Sequence, residues 1–324
     1  MLTRAMNSGV SALNANSQAM AITSHNIANS GTTGFKASNA VFQNSLSTVV
    51  KGSSASTATS GGSLPVTVGS GTYIGATITD FSQGSFIETG RSTDLAINGD
   101  GFFKVRDLST NREYATRTGL FSQDAVGRLS TVDRKVVQGL TGGDFQLTAT
   151  EVGGQIQWSL TQQAPSVVGD ILMNAGPISV ASGKIINNTA QTDDTINSLA
   201  PSMLEPQINE RGEIWASLTG NAGSVHLGTV MMMKFKDNTA LIAEENGLYS
   251  AMDAAGIDNV FGELSSLPGS NGLGKLLSRT VESSNVELTK EFSRLVELRS
   301  AFQAGARVVQ EASDLMSRVV QLGA

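Results

Sequence analysis

Apolar residues recur at heptad spacing near both ends of this chain, and the stretch between them reads as strands and turns. The two end segments must therefore find their partners across the whole sequence. Near the start, Met6, Val10, Leu13, Met20 and Ile27 fall on alternating steps of four and three, with Ser17 and Ser24 in the slots between them. Near the end, Leu288, Phe292, Leu295, Phe302, Ala306, Val309, Met316 and Val320 do the same, interrupted by Arg299 and Ser313. This spacing predicts two helices whose apolar seams can pair as a coiled coil. Two amphipathic helices lying on one globular core would give the same spacing.

Charge separates these readings. Residues 1–35 contain a single acidic or basic side chain other than histidine, Arg4, and the polar positions are Asn7, Asn14, Asn16, Gln18, Thr23 and Asn26. Amides and hydroxyls can be buried through hydrogen bonds without the desolvation cost of a charge. The first helix is thus expected to be covered on all sides in its working state. The second is more charged, with Asp314 and Arg318 four residues apart and Glu287 and Lys290 three apart. Ser284 and Glu287 have capping-box spacing ahead of its apolar run.

Composition excludes several classes. The net charge is −6, with no basic cluster of the kind that binds nucleic acid or an anionic membrane surface. Cysteine is absent, so disulfides and thiolate chemistry are excluded. Only His25 and His226 are present, too few for a histidine-rich metal site. No run of about 18 apolar residues spans a bilayer. The N-terminal segment lacks the charged start, apolar stretch and small-residue cleavage site of a secretory signal, so any export is expected to keep it.

Between the helices, residues 51–63 (KGSSASTATSGGS) have linker composition. From Val66 onward short strands are expected, including a hairpin over Leu95–Val105 turning at Asn98-Gly99-Asp100-Gly101. Residues 140–205 are polar and turn-rich, as in a small inserted β domain. The run from Ala96 to Asp107 imitates a calcium loop, but Ala96 stands where the first ligand is required. Met231 to Met233 read as core or interface filler. No arrangement of catalytic or metal-ligating residues emerges, and none is assigned.

Four ordered blocks resemble the flagellar rod and hook protein family. They are NIANSGTTGFK at residues 26–36, QGSFIETGRSTDLAINGDGFFKV at 83–105, the strand pair from Tyr114 to Gly139, and residues 272–322 with GLGKLL and SSNVELTKEF. Within them Asn26, Asn29, Gly34, Phe35, Asp94, Gly99, Gly101, Phe102 and Asn285 carry the motif. In the last block Phe302 and Gly305 replace the family's tyrosine and asparagine.

The resemblance implies an α+β fold. Residues 1–35 and 284–324 would form an inner coiled-coil domain lining a channel, 36–65 a linker, 66–139 and 206–283 a mainly antiparallel β domain, and 140–205 a variable outer insert. It also implies a homopolymer with no enzymatic activity and no cofactor. Its expected partners are the distal rod protein, the hook cap, the hook-filament junction protein, the flagellar type III export apparatus and the hook-length control protein. The C-terminal block favours a hook subunit over a distal rod subunit. A monomeric β-rich surface-binding protein and a calcium-dependent enzyme or adhesin are the rivals from other classes.

Overall fold

Two long helices, Leu2–Ala28 and Leu288–Leu322, dominate the ends of the chain in the computed structural model. At about 1.5 Å per residue the second is roughly 53 Å long. It begins at Leu288, so Glu287 directly precedes the helix, one turn after the expected cap residue Ser284, which is buried. The structure describes residues 2–53, 64–143, 145–153, 155–173, 185–188, 191–219, 222–257 and 267–322. These divide into two units: Met1–Gly31, Lys36–Ser82 and Asn285–Ala324 in the first, Thr32–Phe35 and Gln83–Ser284 in the second.

In the first unit the helices pack side by side, and strand Ser38–Asn44 pairs antiparallel with Thr72–Thr79. Ala19, Ala40 and Leu298 are buried together, with Met20, Ile22 and Ile74 against them. This differs from the expected linker at 36–65. Strands Ser38–Asn44 and Ser47–Lys51 lie within it, the second pairing with Val66–Gly69. The β-branched and aromatic residues there, Val41, Phe42, Thr48, Val49 and Val50, outweigh the neighbouring glycine and serine. The Ser/Gly-rich residues 54–63 lie outside the described residues. Strand Thr72–Thr79, expected in the β domain, belongs with the helices.

The second unit holds a twelve-stranded, antiparallel sheet whose path runs from Gln207–Ile208 through Glu213–Ser217, Ser224–Val230, Lys135–Thr141, Phe102–Asp107, Glu113–Thr116 and Leu248–Ser250 to Ile242–Ala243. Its core includes Leu95, Ile97, Phe103, Phe121, Leu129, Ile214 and Met232. Met231, Met232 and Met233 are all buried. Residues 140–205 contribute a three-stranded sheet, Gln155–Gln162, Phe145–Val152 and Ile185–Asn188, and helix Asp193–Leu199. Phe145, Leu147, Ala149, Ile185 and Ile196 form a second core there, completed by Leu218, Ala222 and Val225. The insert thus shares its core with the segment that follows it.

The hairpin expected over Leu95–Val105 is absent. Leu95–Asn98 pairs with Lys275–Ser278, whereas Phe102–Asp107 pairs with Glu113–Thr116 and Lys135–Thr141. Gly99 and Gly101 have φ of +113° and +130°, far from the left-handed values of a tight hairpin turn. The turn instead passes the chain between sheets, with Gly99 against Gly274. Ala96, the first position of the imitated calcium loop, is buried within a strand, and Asp107 accepts from Lys135 at 2.7 Å.

Candidate assembly site

The seam between the two helices keeps the expected period but shifts phase. On the C-terminal helix the inward row is Glu291, Leu295, Leu298, Phe302, Gly305, Val309, Ala312 and Met316, each buried or half-buried. Leu295, Phe302, Val309 and Met316 match the expected series. The alternate slot is one residue earlier than Phe292, Arg299, Ala306 and Ser313. On the N-terminal helix the inward row is Gly9, Ala12, Asn16, Ala19, Thr23 and Asn26, again one residue ahead of Val10, Leu13, Ser17, Met20, Ser24 and Ile27.

Small residues line this seam because they let backbones approach. A Cβ on Gly9 would lie 2.7 Å from Val309 Cγ2 and 3.6 Å from the Gly305 carbonyl oxygen. The bulkier residues of the expected series flank the seam: Met6, Leu13, Met20, Ile27 and Ala306 are half-buried, and Val10 is exposed. Leu288, Phe292 and Val320 are exposed, and so are Val296, Val308, Leu315 and Val319. Phe292 exposes 52% of its surface and Val320 66%. The C-terminal helix thus carries a second, outward series of apolar side chains. Apart from His25, Arg4 is the one acidic or basic side chain of the N-terminal helix.

The motif residues tie the backbone together at the helix ends. Asn26 is fully buried; its carboxamide accepts from Ser38 N–H at 3.0 Å, donates to Ser38 C=O at 2.8 Å and lies 3.3 Å from Glu291 Oε2. Asn285 Oδ1 accepts from the adjacent Ala37 N–H at 2.8 Å, while its Nδ2 donates to the carbonyls of Asp80 and Ser82. Two carboxamides from opposite ends of the chain thereby satisfy neighbouring backbone N–H groups, as buried backbone requires. Lys36, also buried, donates to Ser82 C=O at 2.8 Å. Asn29 bonds locally to His25 C=O at 3.0 Å.

In the second unit Gly34 has φ +68° and donates to Glu282 C=O at 2.8 Å; a Cβ there would meet Thr118 N at 2.8 Å. Phe35 is half-buried beside it in the chain. Glu282 Oε1 accepts from Gly84 N–H at 2.8 Å, and Oε2 lies 3.6 Å from Arg117 Nη1. Arg117 is buried over the Phe102 ring, 5.1 Å from its centroid. Burial lowers the Arg117 pKa and Glu282 opposes the shift. Burial also pushes the Tyr249 hydroxyl, whose ring packs edge-on to Phe102, up to about 12. Asp94, fully buried, accepts from Thr89 Oγ1 at 2.7 Å, and its carbonyl accepts from Arg279 N–H.

These residues hold no reactive constellation; they fix chain crossings and leave apolar surface outside. Three family models match in order: "Flagella basal body rod protein" at residues 6–36, "Flagellar hook protein FlgE/F/G D1 domain" at 96–216 and "Flagellar basal body rod FlgEFG protein C-terminal" at 277–322. The chain belongs to the flagellar rod and hook family. Among its relatives, the flagellar basal-body rod protein FlgG of Bacillus subtilis is 26% identical over 321 residues, 99% of each chain. The flagellar hook protein FlgE of Helicobacter mustelae is 41% identical over 146 residues, 45% of this chain and 32% of that one. This chain therefore spans about a third of that hook relative. A solved structure, the Helicobacter pylori flagellar hook protein FlgE2, aligns with 61% of this chain and all of that one at 8% identity and TM-score 0.36, too slight a likeness to bear on the fold.

Sequence reasoning located the motif residues but missed Gly9, Ala19, Thr23, Leu298 and Gly305 in the seam, and Arg117 with Glu282. A three-and-four spacing of small and short polar residues, Gly9, Ala12, Asn16, Ala19, Thr23 and Asn26, was the available signal.

Proposed function

We propose that this chain is a subunit of the bacterial flagellar hook, polymerising into a curved tube that carries torque from rod to filament around an export channel. The observation that carries an assembling subunit is the outward apolar series on the C-terminal helix, beside an N-terminal helix almost without charge. Such surface is costly to leave in water and is covered when copies pack side by side. In this reading Met6, Val10, Leu288, Phe292 and Val320 meet neighbouring copies, and Leu295, Phe302 and Val309 hold each helix pair together as a coiled coil. Weak, exchangeable contacts between outer β domains allow each row of subunits to shorten and lengthen as the tube turns. The subunit is exported by the flagellar type III apparatus with its N-terminal segment intact and works outside the cell. It adds beneath a hook cap, with the distal rod protein below, the hook-filament junction protein above and a length-control protein setting the end point.

The local 41% identity to a hook protein favours this member of the family. The end-to-end match to a rod protein favours a second reading, a distal rod subunit forming a straight drive shaft. Electron microscopy of basal bodies from a strain lacking the gene separates them. Completed rods without hooks support the hook subunit, truncated rods support the rod subunit, and intact flagella overturn both. Normal assembly with Leu295 and Phe302 both truncated to alanine would count against the helical seam.

A further inference from the structure

The two larger sheets of the β unit treat their edges differently. The main path of the long sheet ends in two-residue strands, Gln207–Ile208 and Ile242–Ala243, and its side branches Val167–Asp170 and Phe121–Gln123 are four and three residues long, so each leaves little backbone to recruit another strand. The insert's sheet ends in Gln155–Gln162, eight residues long, all of them paired on one side with Phe145–Val152. Its sequence, QIQWSLTQ, contains no lysine, no other charge and no proline, the usual devices that blunt an edge. Gln155, Gln157, Ser159 and Thr161 face solvent, while Ile156, Trp158 and Leu160 pack on the insert's core. Among the described residues neither this strand nor Ile185–Asn188, at the opposite edge, carries an outer partner strand.

Strand direction makes the two edges complementary. Gln155–Gln162 runs antiparallel to the central strand and Ile185–Asn188 parallel to it. A translated copy of the sheet would therefore set its Ile185–Asn188 antiparallel beside Gln155–Gln162. Such a contact is head-to-tail and does not close on itself, as a polar tube requires. We propose that Gln155–Gln162 is an assembly edge that accepts the Ile185–Asn188 strand of a second copy, joining insert sheets by main-chain hydrogen bonds. The inference rests on the assembly reading above.

Amide hydrogen exchange on the full chain, as monomer and as polymer, tests it. Exchange within 155–162 should slow by at least about tenfold on assembly. The double variant Gln157→Lys with Ser159→Lys, both solvent-facing, should melt like the parent as a monomer, assemble more slowly and lose that protection. Protection already present in the monomer would show the edge covered within the chain and overturn the proposal. So would polymers whose 155–162 amides exchange as in the monomer, leaving the assembly reading intact. A chain that forms no polymer overturns both.

Discussion

Gly9 and Gly305 face each other across the two long helices: a Cβ on Gly305 would sit 3.3 Å from Leu13 Cδ2 and 3.8 Å from the Gly9 carbonyl oxygen. The two glycines are not equivalent. Gly305→Ala meets an ordinary-to-tight contact and gains helix propensity of up to about 1 kcal/mol. Gly9→Ala meets Val309 Cγ2 at 2.7 Å, a β-branched side chain with little rotamer freedom. Gly305→Ala is expected to be neutral or stabilising and Gly9→Ala destabilising by about 1 kcal/mol or more. Urea denaturation of the two variants checks the order.

Asn26 and Asn29 belong to one motif, but Asn26 is fully buried, with both sides of its carboxamide on the Ser38 backbone, and Asn29 is half-buried. Asn26→Ala should cost roughly 2–4 kcal/mol, since it strands Ser38 N–H and C=O as well as losing two bonds. Asn29→Ala, at a half-buried position bonded to His25 C=O, should cost less. Equal losses in thermal melts would contradict this assignment.

Gly34 combines a positive φ with backbone atoms below 3.0 Å from any added Cβ. Nothing there is a movable side-chain end, so Gly34→Ala should destabilise by more than about 2 kcal/mol. The measurement is the soluble yield and melting temperature of the variant.

The buried Arg117 and Glu282 should behave as a unit. Arg117→Met alone leaves a carboxylate in a dry site and is expected to cost about 3–5 kcal/mol, whereas adding Glu282→Gln should recover most of the loss. A double-mutant cycle with no coupling would show that the two charges are solvated separately.

His226 stacks on Trp215 at 4.7 Å and 13°, and burial lowers its pKa below 6.5 while Glu213 opposes the shift. Its folded-state pKa lies below the unfolded one, so the stability it contributes is complete above about pH 6.5 and is lost as pH falls through the folded value. The melting temperature should drop as the pH falls below about 6.5, and His226→Gln should remove that slope. Glu213, held low by Asn209 and Trp215, contributes above 4.5 and loses its effect only at more acid pH. The two transitions are therefore separable.

The helices, several of the short strands and the family motif were legible in the sequence because each is a local pattern: a heptad period, an alternation, a run of named residues. The Asn98–Gly101 turn shows where local reading stops. Its composition fits a tight hairpin, but the strands on either side find distant partners, Lys275–Ser278 and Lys135–Thr141, and the backbone follows them. The 36–65 segment fails for the same reason, since Ser38–Asn44 becomes a strand through Thr72–Thr79.

The helical seam divides the two kinds of knowledge most clearly. Its period of alternating threes and fours is a property of the sequence alone, because it follows from the pitch of a helix. Its phase was decided only in three dimensions. Close approach of two backbones favours Gly9, Ala19 and Gly305, residues that carry little or no hydrophobic signal, and it turns larger ones such as Val10 and Phe292 outward. Burial here is set by what lies opposite each residue, and no window along one helix contains that information.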